Sequence, residues 1–153
     1  MTLDFRFIES FTTSNYYQEV INCRSSLLFN SHANLPYFYL DDLEDDLNSY
    51  HYGAFEKEAL VAYVRISIKE ESAKLSRIFV KEQYRGKGIG YKMISSLLEV
   101  CLEKSVNEVI LFSRLDAVNF YKKLGFVNTS KFIISPTSGS KLEKMIFYIN
   151  TLS

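Results

Sequence analysis

The chain has 153 residues, 47% of them apolar and 24% charged, and its 18 lysines and arginines balance 18 aspartates and glutamates. That composition suits a single domain over residues 1–153 with an adequate core, and it removes any whole-molecule attraction to nucleic acid or an anionic membrane. No apolar run approaches the ~20 residues of a membrane span, and the opening MTLDFRFIES lacks a basic segment followed by an apolar core, so a cytoplasmic protein is expected.

Taken in chain order, residues 3–8 alternate Leu3, Phe5 and Phe7 against Asp4, Arg6 and Ile8, a strand with one buried face. Over residues 14–28 the apolar positions Tyr16, Tyr17, Val20, Cys23 and Leu27 follow a helical period behind a Thr/Ser cluster. Residues 29–49 are irregular, with Pro36 among aromatic residues and five acids between positions 41 and 46, and are expected to form a loop with a short helix. Residues 50–55 and 59–68 read as two strands joined by a polar turn, and 74–80 as a third, which makes an antiparallel meander.

A helix is expected over 89–103, where Ile89, Met93, Ile94, Leu97, Leu98 and Cys101 share a face, and a short buried strand over 108–112. Ser113 and Asp116 fit a capping box for the next helix, whose Ala117, Phe120, Tyr121 and Leu124 share a face before Gly125 ends it. Two strands, 127–134 and 142–149, close the chain around the turn SPTSGS. Cys23 and Cys101 both fall on apolar helical faces without CxxC spacing, and read as small buried hydrophobes in a reducing compartment. The elements together describe an α/β (α+β) fold, a mixed and mostly antiparallel sheet of about seven strands flanked by helices.

The stretch QYRGKGIGYKM, residues 83–93, places Gly86, Gly88 and Gly90 between a predicted strand and a predicted helix. Such a turn exposes unpaired backbone N–H groups at the positive end of a helix dipole, a ready site for a phosphate. Glycine permits left-handed backbone and close approach of a ligand, and Arg85 and Lys87 add positive charge; the plain alternative is a tight basic surface turn. The dinucleotide fingerprint is excluded because Tyr91 stands where its third glycine should, and the Walker pattern because Gly90, Tyr91 and Lys92 replace its Gly-Lys-Ser/Thr ending.

Arg85-x-x-Gly88-x-Gly90, preceded by the strand LSRIFV and followed by an amphipathic helix, resembles the acyl-CoA motif of the GCN5-related N-acetyltransferases, and AVNFYKKLGF, residues 117–126, is similar to that family's second signature. A weaker likeness to the small stand-alone ElaA-type members rests on Arg24, the acidic stretch 41–46 and His51. The resemblance implies a splayed cleft for acetyl-CoA as cosubstrate, an amine acceptor and no metal. Ile78, Phe79 and Val80 would offer backbone groups to the pantetheine arm, and the N–H groups of Arg85, Gly86, Lys87, Gly88, Ile89 and Gly90 would hold the pyrophosphate. Tyr121 corresponds to the tyrosine that protonates the departing thiolate; read alone it is a core aromatic. Arg114 stands where the family usually has a CoA-contacting asparagine, and Ser76 and Arg77 stand where many members carry a basic glutamate, which leaves His51 and Glu82 as candidate bases.

The acids at 41–46 read either as a solvated surface or as a field that draws a cationic acceptor. A monomer or homodimer acting as an enzyme is expected, the alternative being a non-catalytic acyl-CoA sensor or protein-interaction module on the same fold.

Overall fold

The computed structural model describes residues 1–29, 37–136 and 138–149. The chain begins with β1 (Asp4–Phe7), a 3-10 turn at Phe11–Thr13 and α1 (Tyr17–Cys23), which runs directly into a π-helical segment at Arg24–Phe29. A 3-10 turn at Tyr39–Asp42 leads into α2 (Leu43–Leu47), and the strands β2 (Tyr50–Glu56), β3 (Ala59–Lys69) and β4 (Ser72–Val80) follow. After a 3-10 turn at Glu82–Tyr84 come α3 (Ile89–Glu103), β5 (Glu108–Arg114), a 3-10 turn at Leu115–Ala117, α4 (Val118–Leu124), β6 (Val127–Ile134) and β7 (Lys141–Tyr148). The expected loop around Pro36 lies outside the described residues.

The seven strands form one sheet in the order β1-β2-β3-β4-β5-β7-β6. Every pairing is antiparallel except β4 with β5, for which α3 is the long crossover that a parallel pair needs. One face of the sheet is covered by α3 and α4, where Met93, Ile94, Leu97, Cys101, Val118 and Leu124 pack on Val64, Leu75, Val109 and Met145. The opposite face is covered by α1 and the turn before it, through Ile8, Phe11 and Val20 on Phe55, Leu60, Tyr63 and Phe79. Central β3 is therefore buried on both faces from Leu60 to Ile66, which explains its nearly continuous apolar run.

Two local expectations are corrected. The predicted capping box at Ser113 and Asp116 does not form: Ser113 Oγ donates to the Arg114 carbonyl at 2.7 Å, and Ala117 is the N-cap of α4, with no side-chain cap. The single helix expected over 14–28 is α-helical only to Cys23 and widens at Arg24. That residue's guanidinium is fully buried, and the wider turn begins where the chain delivers it into the sheet. The expected stop at Gly125 holds: it takes φ 107° as the C-cap of α4, and the Phe126 N–H donates to the Tyr121 carbonyl at 3.0 Å.

Candidate active site

The parallel ladder between β4 and β5 is only three pairs long, from Ser72↔Glu108 to Lys74↔Ile110. Beyond Lys74 the two strands separate, while β4 stays paired to β3 as far as Ala62↔Val80. Leu75 to Val80 thus presents a strand edge with no ladder partner on the β5 side, the arrangement that accepts an extended, amide-bearing ligand as an added strand. Along this edge Ile78 and Val80 lean on the α3 and α4 side, whereas Phe79 is buried on the other face, stacked 5.4 Å from Tyr63.

The strand then delivers the chain into the glycine turn. Gly86 and Gly88 have φ of 77° and 74°, and a Cβ built on either meets nothing within 4 Å, so both glycines face open space. Gly88 is the left-handed N-cap of α3, and the first helical bond runs from the Lys92 N–H to the Gly88 carbonyl at 3.1 Å. The amides of Ile89, Gly90 and Tyr91 precede that bond and point out of the helix start. Arg85 and Lys87 are exposed beside them; Arg85 Nε donates to the Val80 carbonyl at 3.3 Å, tying the loop to the strand edge.

The left-handed conformation expected of Gly90 is not found, although its amide is among those open at the helix start. A Cβ at Gly90 would lie 3.3 Å from Val80 Cγ2 and 3.5 Å from Phe120 Cζ. It lets α3 sit close against β4 and α4, as the buried Ile89 side chain also does.

Tyr121, on α4, is 9% exposed, with its ring edge-on to Phe120 at 5.0 Å and Phe126 at 5.8 Å. No hydrogen bond to its hydroxyl is found among the described residues, and the oxygen is not one of the fully enclosed unpartnered atoms, which are Tyr17 Oη and Arg24 Nε. Burial pushes its pKa up to about 12, opposed by the positive charge of Arg114, so the phenol is protonated at neutral pH. Arg114 is exposed at the end of β5, with Nε 3.6 Å from Asp116.

The acidic run divides into two groups. Asp41, Glu44 and Asp45 are exposed, but Asp42 and Asp46 are 3% and 2% exposed and belong to a buried network. Arg24 spans Asp46 with Nη1 at 2.8 Å and Nη2 at 2.9 Å, Arg65 Nη1 reaches Asp46 at 3.0 Å, and Arg77 grips Asp42 with Nε and Nη2, both at 2.9 Å. The Arg77 pairing and Arg65 hold the Asp42 carboxyl below the usual carboxylate range despite burial. Only the three exposed acids remain to attract a cation, and the expectation of a wholly solvated or wholly substrate-facing run is corrected accordingly. Tyr63 and Arg65 had no place in the sequence reading, and Arg77 entered it only as the residue standing where a glutamate is usual; yet a lone arginine inside the run ALVAYVRISI was a signal, since a charge in a doubly buried strand requires a partner.

His51 is part of the same network. Its Nε2 lies 2.8 Å from the Asp46 carbonyl, which can only accept, so Nε2 carries the proton. Nδ1 then accepts from the Tyr63 hydroxyl at 2.7 Å, and that oxygen accepts from Arg24 Nη2 at 2.7 Å. Phe11 stacks on the ring at 3.8 Å and exposure is 3%, so the imidazole is enclosed and structural rather than a base in the cleft. Burial lowers its pKa to about 4, partly opposed by the bond to Asp46 and its charge. The unfolded chain therefore binds the extra proton first, and stability present above pH 6.5 is lost as the pH falls towards 4. Urea unfolding is expected to show a loss of about 2 to 3 kcal/mol between pH 7 and pH 4.5 that His51→Gln removes. An unchanged pH slope in that variant would assign the loss to other groups. Glu82, the other candidate base, is exposed at the start of the turn before Arg85 and borders an open groove with Glu19, Cys23 and Lys81.

A family model described as "Acetyltransferase (GNAT) family" matches residues 16–126. The chain belongs to the GNAT acetyltransferase family. It is 31% identical over 100 residues to the protein ElaA of Escherichia coli, covering 61% of this chain and 64% of that protein. It is also 43% identical over 54 residues to the thialysine N-epsilon-acetyltransferase of Sus scrofa, covering 33% of this chain and 32% of that enzyme. The chain spans 60 to 64% of the length of bacterial relatives from Bacillus subtilis and E. coli. The crystal structure of E. coli ElaA superposes with a TM-score of 0.76 at 21% identity, covering 95% of this chain and 99% of that one. That of the E. coli ribosomal-protein-S18-alanine N-acetyltransferase gives 0.75 at 14% identity, with 99% and 97% covered. At these identities the two structures establish the shared fold, including the seven-stranded sheet.

Proposed function

We propose that this GNAT chain, acting as a single domain over residues 1–153, transfers an acetyl group from acetyl-CoA to a primary amine of a small molecule or protein. The observation that carries the reading is the continuity of the splayed β4 edge with the anion cradle: Ile78, Phe79 and Val80 run straight into the Arg85 to Gly90 turn, whose open N–H groups and two left-handed glycines leave room for a pyrophosphate. The charge of Arg85 and Lys87, and of Arg114 across the cleft, adds to this attraction.

On this reading the extended pantetheine arm pairs with Ile78 to Val80, and a backbone N–H near Val80 donates a hydrogen bond to the thioester oxygen as negative charge develops on it during attack by the amine. Holding the two reactants in line contributes most, roughly 7 to 11 kcal/mol of the barrier. As the new C–N bond forms and the C–S bond breaks, Tyr121 gives its proton to the leaving sulfur, and the proton shed by the amine nitrogen restores the phenol by way of solvent. The acceptor approaches from the side bordered by the exposed acids Asp41, Glu44 and Asp45, which favours a cationic amine. Among the described residues no helix is long and apolar enough to cross a membrane; we place the reaction in the cytoplasm, by a monomer or homodimer, without nucleic acid.

Mass spectrometry of the purified protein for bound CoA, then a thiol-release assay over a panel of amines, tests the activity; binding without turnover on any amine would favour a sensor. The cradle is tested separately by Gly88→Val, which directs a side chain into the open space and is expected to weaken acetyl-CoA binding at least tenfold in calorimetry. Gly139 has a matching φ of 72° and equally open surroundings in the turn between β6 and β7, so Gly139→Val imposes the same backbone strain away from the cradle. Equal effects of the two variants on affinity would remove the pyrophosphate from Gly88.

A further inference from the structure

Between the pairs Tyr63↔Phe79 and Arg65↔Ser76, β3 has one residue and β4 has two, Arg77 and Ile78. This is a β-bulge, and its first residue, Arg77, has φ 54°, a left-handed conformation in a position that usually takes glycine. The bulge falls between the last β4–β5 pair at Lys74 and the free edge Ile78 to Val80, where a bend in β4 determines how far that edge stands from β5.

The left-handed conformation carries a steric cost for any residue with a Cβ, and here it falls inside a strand, where the flanking ladder pairs must hold it against that cost. The side chain does have a strong anchor: Arg77 Nε and Nη2 each lie 2.9 Å from one oxygen of Asp42, a two-point grip with defined geometry. The guanidinium carbon lies 5.1 Å from the Phe29 ring centroid. Asp42 is itself fixed from three other directions, by the Tyr37 hydroxyl at 2.8 Å, Arg65 at 3.4 Å and Arg24 at 3.5 Å. The anchor therefore belongs to the rigid network on one face of the sheet, while the strand it holds opens towards the cleft.

We propose that the Asp42–Arg77 ion pair is a positioning device for the acyl-CoA edge, clamping Arg77 in its left-handed conformation so that the β4 bulge keeps Ile78 to Val80 apart from β5 and aligned for a ligand. This rests on the reading of that edge as the pantetheine site. Neither residue touches the reacting atoms; both act through the backbone of β4.

Glycine supplies the test, because it takes φ near +54° at no steric cost, whereas alanine does so only against one. Arg77→Ala is expected to lower acetyl-CoA affinity at least tenfold in calorimetry and to speed amide hydrogen exchange at Ile78 to Val80. Arg77→Gly also loses the ion pair and its share of thermal stability, yet is expected to recover most of the affinity and the protection. A purely structural pair would depress both variants alike. Asp42→Asn should behave like Arg77→Ala, and adding it to Arg77→Gly should cost no further affinity, because the two act on one element; should Asp42→Asn fail to fold, the two Arg77 variants still decide. Wild-type affinity in Arg77→Ala overturns the proposal, and so does an Arg77→Gly as impaired as the alanine, the pattern of a purely structural pair or of a guanidinium that itself meets the ligand. If the wild type does not bind acetyl-CoA, the reading of the cleft fails, while hydrogen exchange in the same variants still decides whether the pair holds the bulge.

Discussion

Tyr121→Phe is expected to lower kcat by roughly 10²-fold to 10⁴-fold with little change in acetyl-CoA affinity or melting temperature. The stability half of this expectation follows from the packing. The ring's contacts with Phe120 and Phe126 survive the substitution, and since the hydroxyl has no partner among the described residues, its removal strands no buried group. The kinetic half follows from proton matching. A phenol raised to about 12 by burial is a weaker acid than free tyrosine, but the same burial makes a leaving thiolate a stronger base. Donor and acceptor thus move together, and Arg114 draws the phenol back towards its ordinary value. Steady-state kinetics with an accepted amine and a melting curve decide the matter. Unchanged kcat with a loss of about 1 kcal/mol in stability would make the hydroxyl a structural group.

What the sequence revealed and what it hid follow from the range of the interactions involved. Helix α3 runs over the span expected from its apolar period, because six side chains on one face all find the same core. The meander and the closing strands were legible from runs of apolar, β-branched and aromatic residues with turn residues between them, although β3 is buried continuously from Leu60 to Ile66. The glycine loop was legible as an open turn through Gly86 and Gly88, whose left-handed φ favours glycine, but Gly90 looked identical in the sequence and lies close against Val80 and Phe120. The break of α1 at Arg24 was hidden, since the partners that draw its guanidinium inward lie 13 to 39 positions away along the chain. The bulge was hidden too, because it occurs at an arginine, with no glycine to mark it. The acidic run misled for a related reason: a helix of consecutive acids resembles a solvated face until its partners on β3 and β4 are known.

That last point has a direct measure. Asp46→Ala is expected to destabilise the fold by about 3 to 5 kcal/mol, the cost of leaving buried charges without their counter-ion. Asp46 accepts from both terminal nitrogens of a fully buried Arg24 and from Arg65, so its loss leaves two guanidiniums in the interior facing mainly Asp42. For a domain whose total stability is of order 5 to 15 kcal/mol, the loss is a large fraction, and the melting temperature should fall by about 10 °C or more. Asp41→Ala, an exposed acid of the same run, should stay within about 0.5 kcal/mol of wild type. Removing charge on both sides, as in Arg24→Met with Asp46→Leu, should cost less than the sum of the single changes, because the greater part of each single cost is the stranded partner. Urea unfolding of these variants separates the two halves of the acidic run. An Asp46→Ala protein within 1 kcal/mol of wild type would mean that solvent reaches the guanidiniums once the carboxylate is gone, and that the network orders the face beneath α2 without stabilising it.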